Sequence, residues 1–281
     1  MQFKNLSLTD IPFVRPYFEK YYDGSCDMTV GGTFIWRDYY KTEFAVYKDT
    51  IVLRENKNGS YGVPMGENCE EVLRMLGKAT YSFVSEKNKD IILSVFPNAV
   101  CREDRDSFDY IYDSVLMTEL RGKSLSGQRN HINRFKREYE NYAFEDITDD
   151  NIEKAREFFE RYSKKAVKSA SSAVEDRQKT FEVLDNYTAY GMLGGMLTVD
   201  GEVIGASIGE IIADTIIVHI EKALVEYHGA YPMLTNMFNR RFAADVRFIN
   251  REDDAGDEGL RKNKLSYCPV KLLKKYNIEI R

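Results

Sequence analysis

Two phrases recur in the same order along this 281-residue chain, and together they limit the folds open to it. The run LTDIPFVRPYFEKYY, from Leu8, returns as ITDDNIEKAREFFERYS from Ile147 with a gap of two residues. Phe18-Glu19-Lys20-Tyr21 then falls on Phe159-Glu160-Arg161-Tyr162. Each run follows a short stretch, Phe3 to Leu8 and Ala143 to Ile147, that reads as a strand. Thr9-Asp10 and Pro12 open a helix through Tyr22 in the first copy. In the second, Thr148-Asp149-Asp150 caps a helix to about Lys165, with Glu153 placed for a capping box. A second echo follows. FAVYKDTIV, Phe44 to Val52, matches MLTVDGEVI, Met196 to Ile204, each two strands around a turn, and Asp200-Gly201 is a strong hairpin signal. Two echoes in one order predict an internal duplication, each half a strand, helices, an antiparallel meander, a helix and a strand.

Between the copies the pattern predicts a helix near Glu70 to Tyr81, a buried strand at Ile91 to Phe96, a charged loop at Asn98 to Asp106 and a tyrosine-rich strand near Phe108 to Tyr112. The chain leaves that strand near 118–124, which places a boundary between domains 1–120 and 121–281. A linker this short implies domains packed on one another. The small, polar run KKAVKSASSAVE, 164–175, is a candidate lid.

A net charge of −5 argues against a protein steered onto nucleic acid or anionic lipid by its overall field, so any polyanion contact must be a local patch. Cys26, Cys69, Cys101 and Cys268 form no CxxC pair, which leaves zinc and thioredoxin-like readings without support and points to a reduced, cytoplasmic setting. MQFKNLSLTD lacks the continuous apolar core of a signal peptide. The longest apolar stretches, near Met192 to Val199 and Ile211 to Ile220, are too short to span a bilayer or are interrupted by Asp214. No metal set is expected, and His219 and His228 read as structural.

Three stretches carry the chemistry. From Arg121 to Arg137 there are six Lys or Arg residues and no acid. On a helix from about Ser124, Leu125, Ile132, Phe135, Tyr139 and Tyr142 line an apolar stripe, and Arg129, Asn133, Lys136 and Arg137 fall largely opposite it. This is either a solvated face or a phosphate-binding surface. Gly122-Lys123-Ser124 is no P-loop, because Met117 stands where that motif needs glycine. Ile208 to Ile212 and Thr215 to Glu221 are strands rich in β-branched residues, followed by a helix starting near Tyr231-Pro232. Glu221, next to Lys222, is either half of a structural ion pair or a functional carboxylate. Last, an apolar run at Val246 to Ile249 meets an acidic bend, Glu252 to Glu258, with Gly256 and Gly259, and a short helix, Leu260 to Leu265. A loop between a buried strand and a helix is where α/β proteins place ligands. Calcium-loop spacing is not met, since Arg251 or Leu265 stands where an acid is required.

The runs RGKSLSGQRNHINRFKREY (121–139), HIEKALVEYHGAYPMLTNMF (219–238) and NREDDAGDEGLRKNKLSYCP (250–269) resemble an uncharacterised bacterial family related to the catalytic domain of phosphatidylglycerol lysyltransferases. The resemblance implies an α+β chain, a tandem duplication of N-acetyltransferase-like domains, each a central mixed sheet flanked by helices, as in the Fem peptidyltransferases that use aminoacyl-tRNA. In such folds the helix after the central strand receives the donor's pyrophosphate at its N-terminus. Here Glu226-Tyr227-His228-Gly229-Ala230-Tyr231 keeps only Gly229 of the usual pattern, which sits poorly with acetyl-CoA.

The implied activity is acyl transfer, with no tightly bound cofactor, from an aminoacyl-tRNA 3′ end to an amine or hydroxyl on a small-molecule, peptide or lipid acceptor. An acyl-CoA-dependent N-acyltransferase, or a non-catalytic module for a phosphorylated ligand, is the alternative. Such transfer needs positioning, a proton acceptor and donors to an oxyanion, and no covalent intermediate. Glu221 and Asp254 are expected to handle protons or bind an amine, with Lys264 and Arg261 stabilising charge. Lys123, Arg129, Asn133 and Arg137 would hold phosphates, and Lys222, Gly229, Tyr231, Asn250, Arg251, Gly256 and Tyr267 complete the substrate-binding set.

Overall fold

Strand pairing, rather than order along the chain, decides which segments pack together. The computed structural model describes residues 1–166 and 171–281. They form two units. One is Met1–Tyr110 with Glu252–Arg261 and Lys271–Arg281, and the other is Ile111–Arg251 with Lys262–Val270. The boundary falls at 110/111 rather than 120/121, and two C-terminal segments belong to the first unit.

The strands are β1 (Lys4–Asn5), β2 (Thr42–Tyr47), β3 (Thr50–Glu55), β4 (Ser60–Tyr61), β5 (Thr80–Ser85), β6 (Val100–Glu103), β7 (Asp109–Asp113), β8 (Tyr142–Asp146), β9 (Leu193–Val199), β10 (Glu202–Ile212), β11 (Thr215–Ala223), β12 (Phe248–Asn250), β13 (Lys271–Leu273) and β14 (Lys275–Glu279). The helices are α1 (Ile11–Tyr21), α2 (Val30–Phe34), α3 (Arg37–Tyr40), α4 (Cys69–Leu76), α5 (Glu86–Val95), α6 (Ser114–Glu119), α7 (Ser126–Glu138), α8 (Ile152–Ala166), α9 (Ser171–Asp185), α10 (Tyr187–Tyr190), α11 (Ala230–Phe242) and α12 (Glu258–Ser266).

The first sheet runs β1-β2-β3-β4-β5-β14-β6. Its β4–β5 pair is parallel, bridged by α4, and the remaining pairs are antiparallel. In the second unit β7-β12-β11-β10-β9-β8 lie in that order, with β11–β12 parallel and bridged by α11. The unit β2-β3-β4-α4-β5 thus recurs as β9-β10-β11-α11-β12, which is the predicted duplication. A meander needs only short turns, whereas a parallel pair needs a crossover helix, so each half places its helix at the same step. In the first unit Leu73 of α4, Ile92 of α5, and Tyr81, Val84, Tyr276 and Ile278 of the sheet bury a common core.

Three local expectations change. Ile91 to Phe96 belongs to α5 rather than a strand. Ser85 caps that helix, its hydroxyl accepting from the Asn88 N–H at 3.3 Å, and a short apolar run cannot by itself distinguish a buried helix face from a strand. The helix from Glu70 stops at Leu76, where Gly77 takes φ +62°, and Thr80–Ser85 is a strand. The charged loop at 98–106 contains β6, paired with β14 from Val100 to Glu103. The candidate lid at 164–175 includes residues 167–170, which lie outside the described residues.

Candidate functional site

In the second unit the parallel pair is short. Thr215–Ile217 pairs with Phe248–Asn250 and no further, while β11 continues along β10 to Ala223. Glu221 and Arg251 lie just past the end of that pairing. Their side chains, each 10% exposed, form an ion pair with Arg251 Nη2 2.7 Å from Glu221 Oε1. The Thr235 hydroxyl donates to the same oxygen at 3.0 Å. Arg251 also sits over the Tyr267 ring, 5.0 Å from its centroid, and its backbone carbonyl accepts from Lys264 Nζ at 2.5 Å. Burial works against the guanidinium charge, but Glu221 and the phenols of Tyr112 and Tyr267 outweigh it and hold Arg251 above its ordinary value. Two buried polar atoms here lack a hydrogen-bond partner, Arg251 Nη1 and Ser207 Oγ, and Ser207 is the β10 residue opposite Glu221. A buried polar atom without a partner is costly.

Of the sequence candidates, Glu221, Arg251, Tyr267 and Lys264 therefore come together, with Asn250 fully buried in β12 beside them in sequence. Lys222 does not pair with Glu221. Adjacent strand residues face opposite sides, and Lys222 Nζ lies 3.0 Å from Asp176 instead. Lys264 is 6% exposed and committed to a backbone carbonyl, which leaves it a bracing role.

Helix α7 buries Gln128, Ile132 and Phe135 and exposes Asn133, Lys136 and Arg137 beside them, and Lys123 is exposed in the bend just before it. Arg129 is folded back, donating to the carbonyls of Leu120 and Gly122. The N-terminus of α11, where a donor pyrophosphate is expected, is closed. Gly229 has φ +81°, and a Cβ on it would lie 2.5 Å from the His131 carbonyl oxygen of α7. Tyr139 packs at a tilt against Tyr227, with ring centroids 5.3 Å apart, and its hydroxyl accepts the His228 N–H. Tyr231 lies alongside Tyr162, hydroxyl to hydroxyl 3.3 Å. His219 pairs with Glu210 at 2.9 Å, both buried, and His228 with Arg134 and Glu138, so both histidines are held by structural partners.

The acidic bend belongs to the first unit from Glu252 to Arg261. Asp254, expected to handle protons, is completely buried and fully engaged. Its oxygens accept from Tyr110 OH (2.6 Å), Arg105 Nη1 (3.1 Å), Arg261 Nε and Nη2 (3.0 and 2.7 Å) and the Gly256 N–H (3.1 Å). Burial opposes ionisation, yet these donors hold the carboxyl well below the usual carboxylate range, so it is an anchor and a poor base. Arg261 serves this anchor and Asp106. Only Gly256 of the two glycines has positive φ, +77°; the other left-handed residues of the bend are Glu252 and Ala255, while Gly259 lies in α12.

The first unit holds a cavity of about 270 Å³ that sequence reasoning did not anticipate. It opens beside the first unit's own parallel pair, lined by Tyr61 of β4, by Gly62 and Val63 after it and by Ser82 and Phe83 of β5. Trp36 and Tyr40 add aromatic wall, and Asp23, Asp27, Glu55, Glu252 and Asp253 add carboxylates. Next to it Lys275, wholly buried, has Nζ 2.6 Å from Asp109 Oδ1 and pairs with Asp27 as well. The signal for this site lay in Asp23-Gly24-Ser25-Cys26-Asp27, directly after the first repeated helix, and in Glu252-Asp253, but sequence distance hid their convergence.

Burial pushes the Asp253 carboxyl up to about 7, with Glu252, Asp27 and Asp109 adding to the effect against the pull of Lys275. The fold therefore keeps a proton that the unfolded chain releases above its ordinary value, and stability falls as pH rises from about 4 to about 7, by on the order of 4 kcal/mol at most. Asp253→Asn is expected to be more stable than the parent, by a margin that widens over that window and is flat above it. Thermal unfolding at several pH values reads this directly, and a constant margin would contradict it.

Two meander-helix-strand units in one chain, each with a single parallel step bridged by a helix, define a tandem N-acetyltransferase-like protein. The chain belongs to the family described as Phosphatidylglycerol lysyltransferase, C-terminal, the match extending over residues 18–279. A conserved protein of unknown function from Bacteroides thetaiotaomicron has the same fold throughout, with TM-score 0.90, 31% identity and 100% of both chains covered. The structure of L-PGS from Bacillus licheniformis superposes with TM-score 0.63 at 13% identity, over 95% of this chain and 91% of that one. An uncharacterised protein of Mycoplasmoides gallisepticum is 24% identical over 177 residues, 62% of this chain; the match spans 56% of that relative's length. Among the described residues no helix is long and apolar enough to cross a membrane, and no group of three or more His, Cys, Asp or Glu could hold a metal ion.

Proposed function

We propose that the chain is an aminoacyl transferase of the lysyltransferase and Fem kind, taking the aminoacyl group from an aminoacyl-tRNA 3′ end and passing it to an amine or hydroxyl acceptor. The observation that carries this is the end of the second unit's parallel pair. There Arg251, held by Glu221 and Tyr267, presents an unpartnered Nη1, while the neighbouring α11 N-terminus is closed by α7. The closed terminus favours a donor other than CoA, whose pyrophosphate would need those N–H groups. The exposed Lys123, Lys136 and Arg137, with Asn133, offer a local cationic face for tRNA phosphates on a chain whose net charge is acidic.

In this reading the acceptor nitrogen or oxygen attacks the ester carbonyl carbon, and the carbonyl oxygen becomes an oxyanion that accepts from Arg251 Nη1. Collapse breaks the ester C–O bond, and the tRNA 3′ oxygen leaves carrying the proton given up by the acceptor. Preorganised donors of this sort are usually the largest single contribution to such catalysis. Glu221, already bound by Arg251 and Thr235, is a positioning residue, and Asp254 and Lys264 are architectural.

Incubation with a mixed pool of charged, labelled tRNA tests the reading. Label should move to a lipid, peptide or small amine, and discharge no faster than in buffer would remove the tRNA donor. Arg251→Lys keeps the charge opposite Glu221 but has no Nη1. It is expected to lower kcat roughly 10²–10³-fold with an unchanged circular dichroism spectrum. A loss of less than about threefold would take Arg251 out of the reacting site.

A further inference from the structure

The aromatic wall of the first unit's cavity is built against the preference of the backbone. Ser82 and Phe83 are neighbours on β5 and in a regular strand would face opposite sides, yet both line the cavity. The pairing of β5 with β14 shifts register there, between Tyr276 and Ile278, and Phe83 takes φ +56°, a left-handed conformation that a bulky residue rarely adopts. Bulges and strained residues of this kind re-aim side chains at binding sites. Phe83 meets Tyr40 with ring centroids 6.2 Å apart and planes at 67°, and Tyr40 meets Trp36 at 6.5 Å and 50°. Rings tilted this steeply do not form a flat stack. They make a concave aromatic wall.

At about 270 Å³ the cavity is slightly smaller than the roughly 300–1,000 Å³ of pockets for drug-sized ligands, a size suited to a small molecule. Aromatic faces attract cations, and an outer ring of the same cluster already holds one, with Lys57 Nζ 3.2 Å from the Tyr39 centroid. The lining includes five acidic residues and no Lys or Arg. Those acids are already engaged within the protein. Asp23 accepts from the Ser25 N–H and the Asn88 amide, Glu55 from Asn58 and Ser60, and Asp253 from the Ala255 N–H, while Asp27 pairs with Lys275 and Glu252 also has a partner. Neutral donors fill the lone pairs of Asp23 and Glu55 without cancelling their charge, so both keep a negative potential over the cavity. Burial raises Glu55, and neighbouring Asp27 adds to the effect.

Such walls suit a cation that needs no acceptors. A primary ammonium brings three N–H donors to carboxylates already supplied with them, and a bare metal ion wants oxygen ligands rather than rings. A quaternary ammonium asks only for negative potential and π faces. The same potential repels a phosphate.

We propose that this cavity binds a small quaternary ammonium of the choline type, its methyl groups against Trp36, Tyr40 and Phe83 and its charge in the field of Glu55 and Asp23. The site lies wholly within the first unit, and its ligand is independent of the transferase reading.

Calorimetric titration of the full chain with choline tests this beside three relatives. In 3,3-dimethylbutan-1-ol carbon replaces the charged nitrogen, ethanolamine has the ammonium without its methyl groups, and phosphocholine adds a phosphate. Choline should saturate a single site, and each relative should bind at least about tenfold more weakly. Trp36→Leu keeps an apolar side chain but loses the π face, and Glu55→Gln loses the charge. Each should weaken choline roughly tenfold with the neutral alcohol nearly unaffected, and either folded variant suffices for the comparison. No saturation by choline, binding of the neutral alcohol or ethanolamine as tight as that of choline, or unchanged choline affinity in both variants overturns the site. Phosphocholine binding as tightly as choline overturns a free cation in favour of a lipid headgroup.

Discussion

Lys275→Met is expected to cost the first unit about 3–5 kcal/mol, the largest stability loss foreseen for a single substitution in this chain. The ammonium has no exposure and lies 2.6 Å from Asp109, itself fully buried, with Asp27 and the Cys26 sulfur, at 3.4 Å, completing its surroundings. Asp109 is further tied to the Cys26 N–H at 2.8 Å. Removing the cation leaves the fully buried Asp109 carboxylate without its counter-ion, beside an Asp27 side chain that is 32% exposed and can turn toward water. Burial works against the lysine charge, but the surrounding acids overcome it and raise Lys275 well above its ordinary value. Its stabilisation is therefore complete below the unfolded lysine's pKa and declines only as pH climbs toward the folded one. Urea denaturation of Lys275→Met, and of Lys275→Met with Asp109→Asn, tests the account. The second change should recover part of the loss by removing the stranded charge. A loss below about 1 kcal/mol, or no recovery in the double variant, would mean that the carboxylates find other compensation.

Asp254→Asn is the second large effect, expected at about 2–4 kcal/mol. Five donor contacts from four residues converge on this carboxylate, and an amide can accept fewer of them and brings N–H groups of its own toward Arg105 and Arg261. Both arginines are about a third exposed and can turn to water, which keeps the cost below that of Lys275. The sign with pH is opposite. Asp254 is lowered in the fold, so its contribution is fully present above the ordinary carboxylate value and is lost as pH falls toward the folded one. The gap between parent and Asp254→Asn should therefore narrow on acidification below about pH 4. A gap that stays constant into acid would show that Asp254 acts through packing rather than charge.

What the sequence disclosed followed its local periodicities. The repeated helix phrase, the two hairpins and the α11 start were legible because apolar spacing and turn residues act within a few positions. Ile91 to Phe96 was not, since a run without clear alternation suits a buried strand and a buried helix face equally. The site divided in the same way. Glu221, Arg251 and Tyr267 could be singled out because they stand at the ends of strands or in a stretch of unusual composition. The pairing of Glu221 with Arg251 rather than with its neighbour Lys222 depends on strand faces and on a contact thirty positions away. The acidic cavity was further from reach. Its carboxylates come from segments around residues 23, 55 and 252, and no local rule links them.

The place of β14 in the first sheet, between β5 and β6, has a consequence for how the polypeptide is made. A nascent chain can form the β2–β3 hairpin soon after leaving the ribosome. Its sheet nevertheless keeps a missing interior strand, and Asp109 an absent counter-ion, until Lys275–Glu279 has been synthesised. The half encoded first is thus finished last, and during most of translation it presents two open edges of the kind that chaperones cover and aggregation exploits.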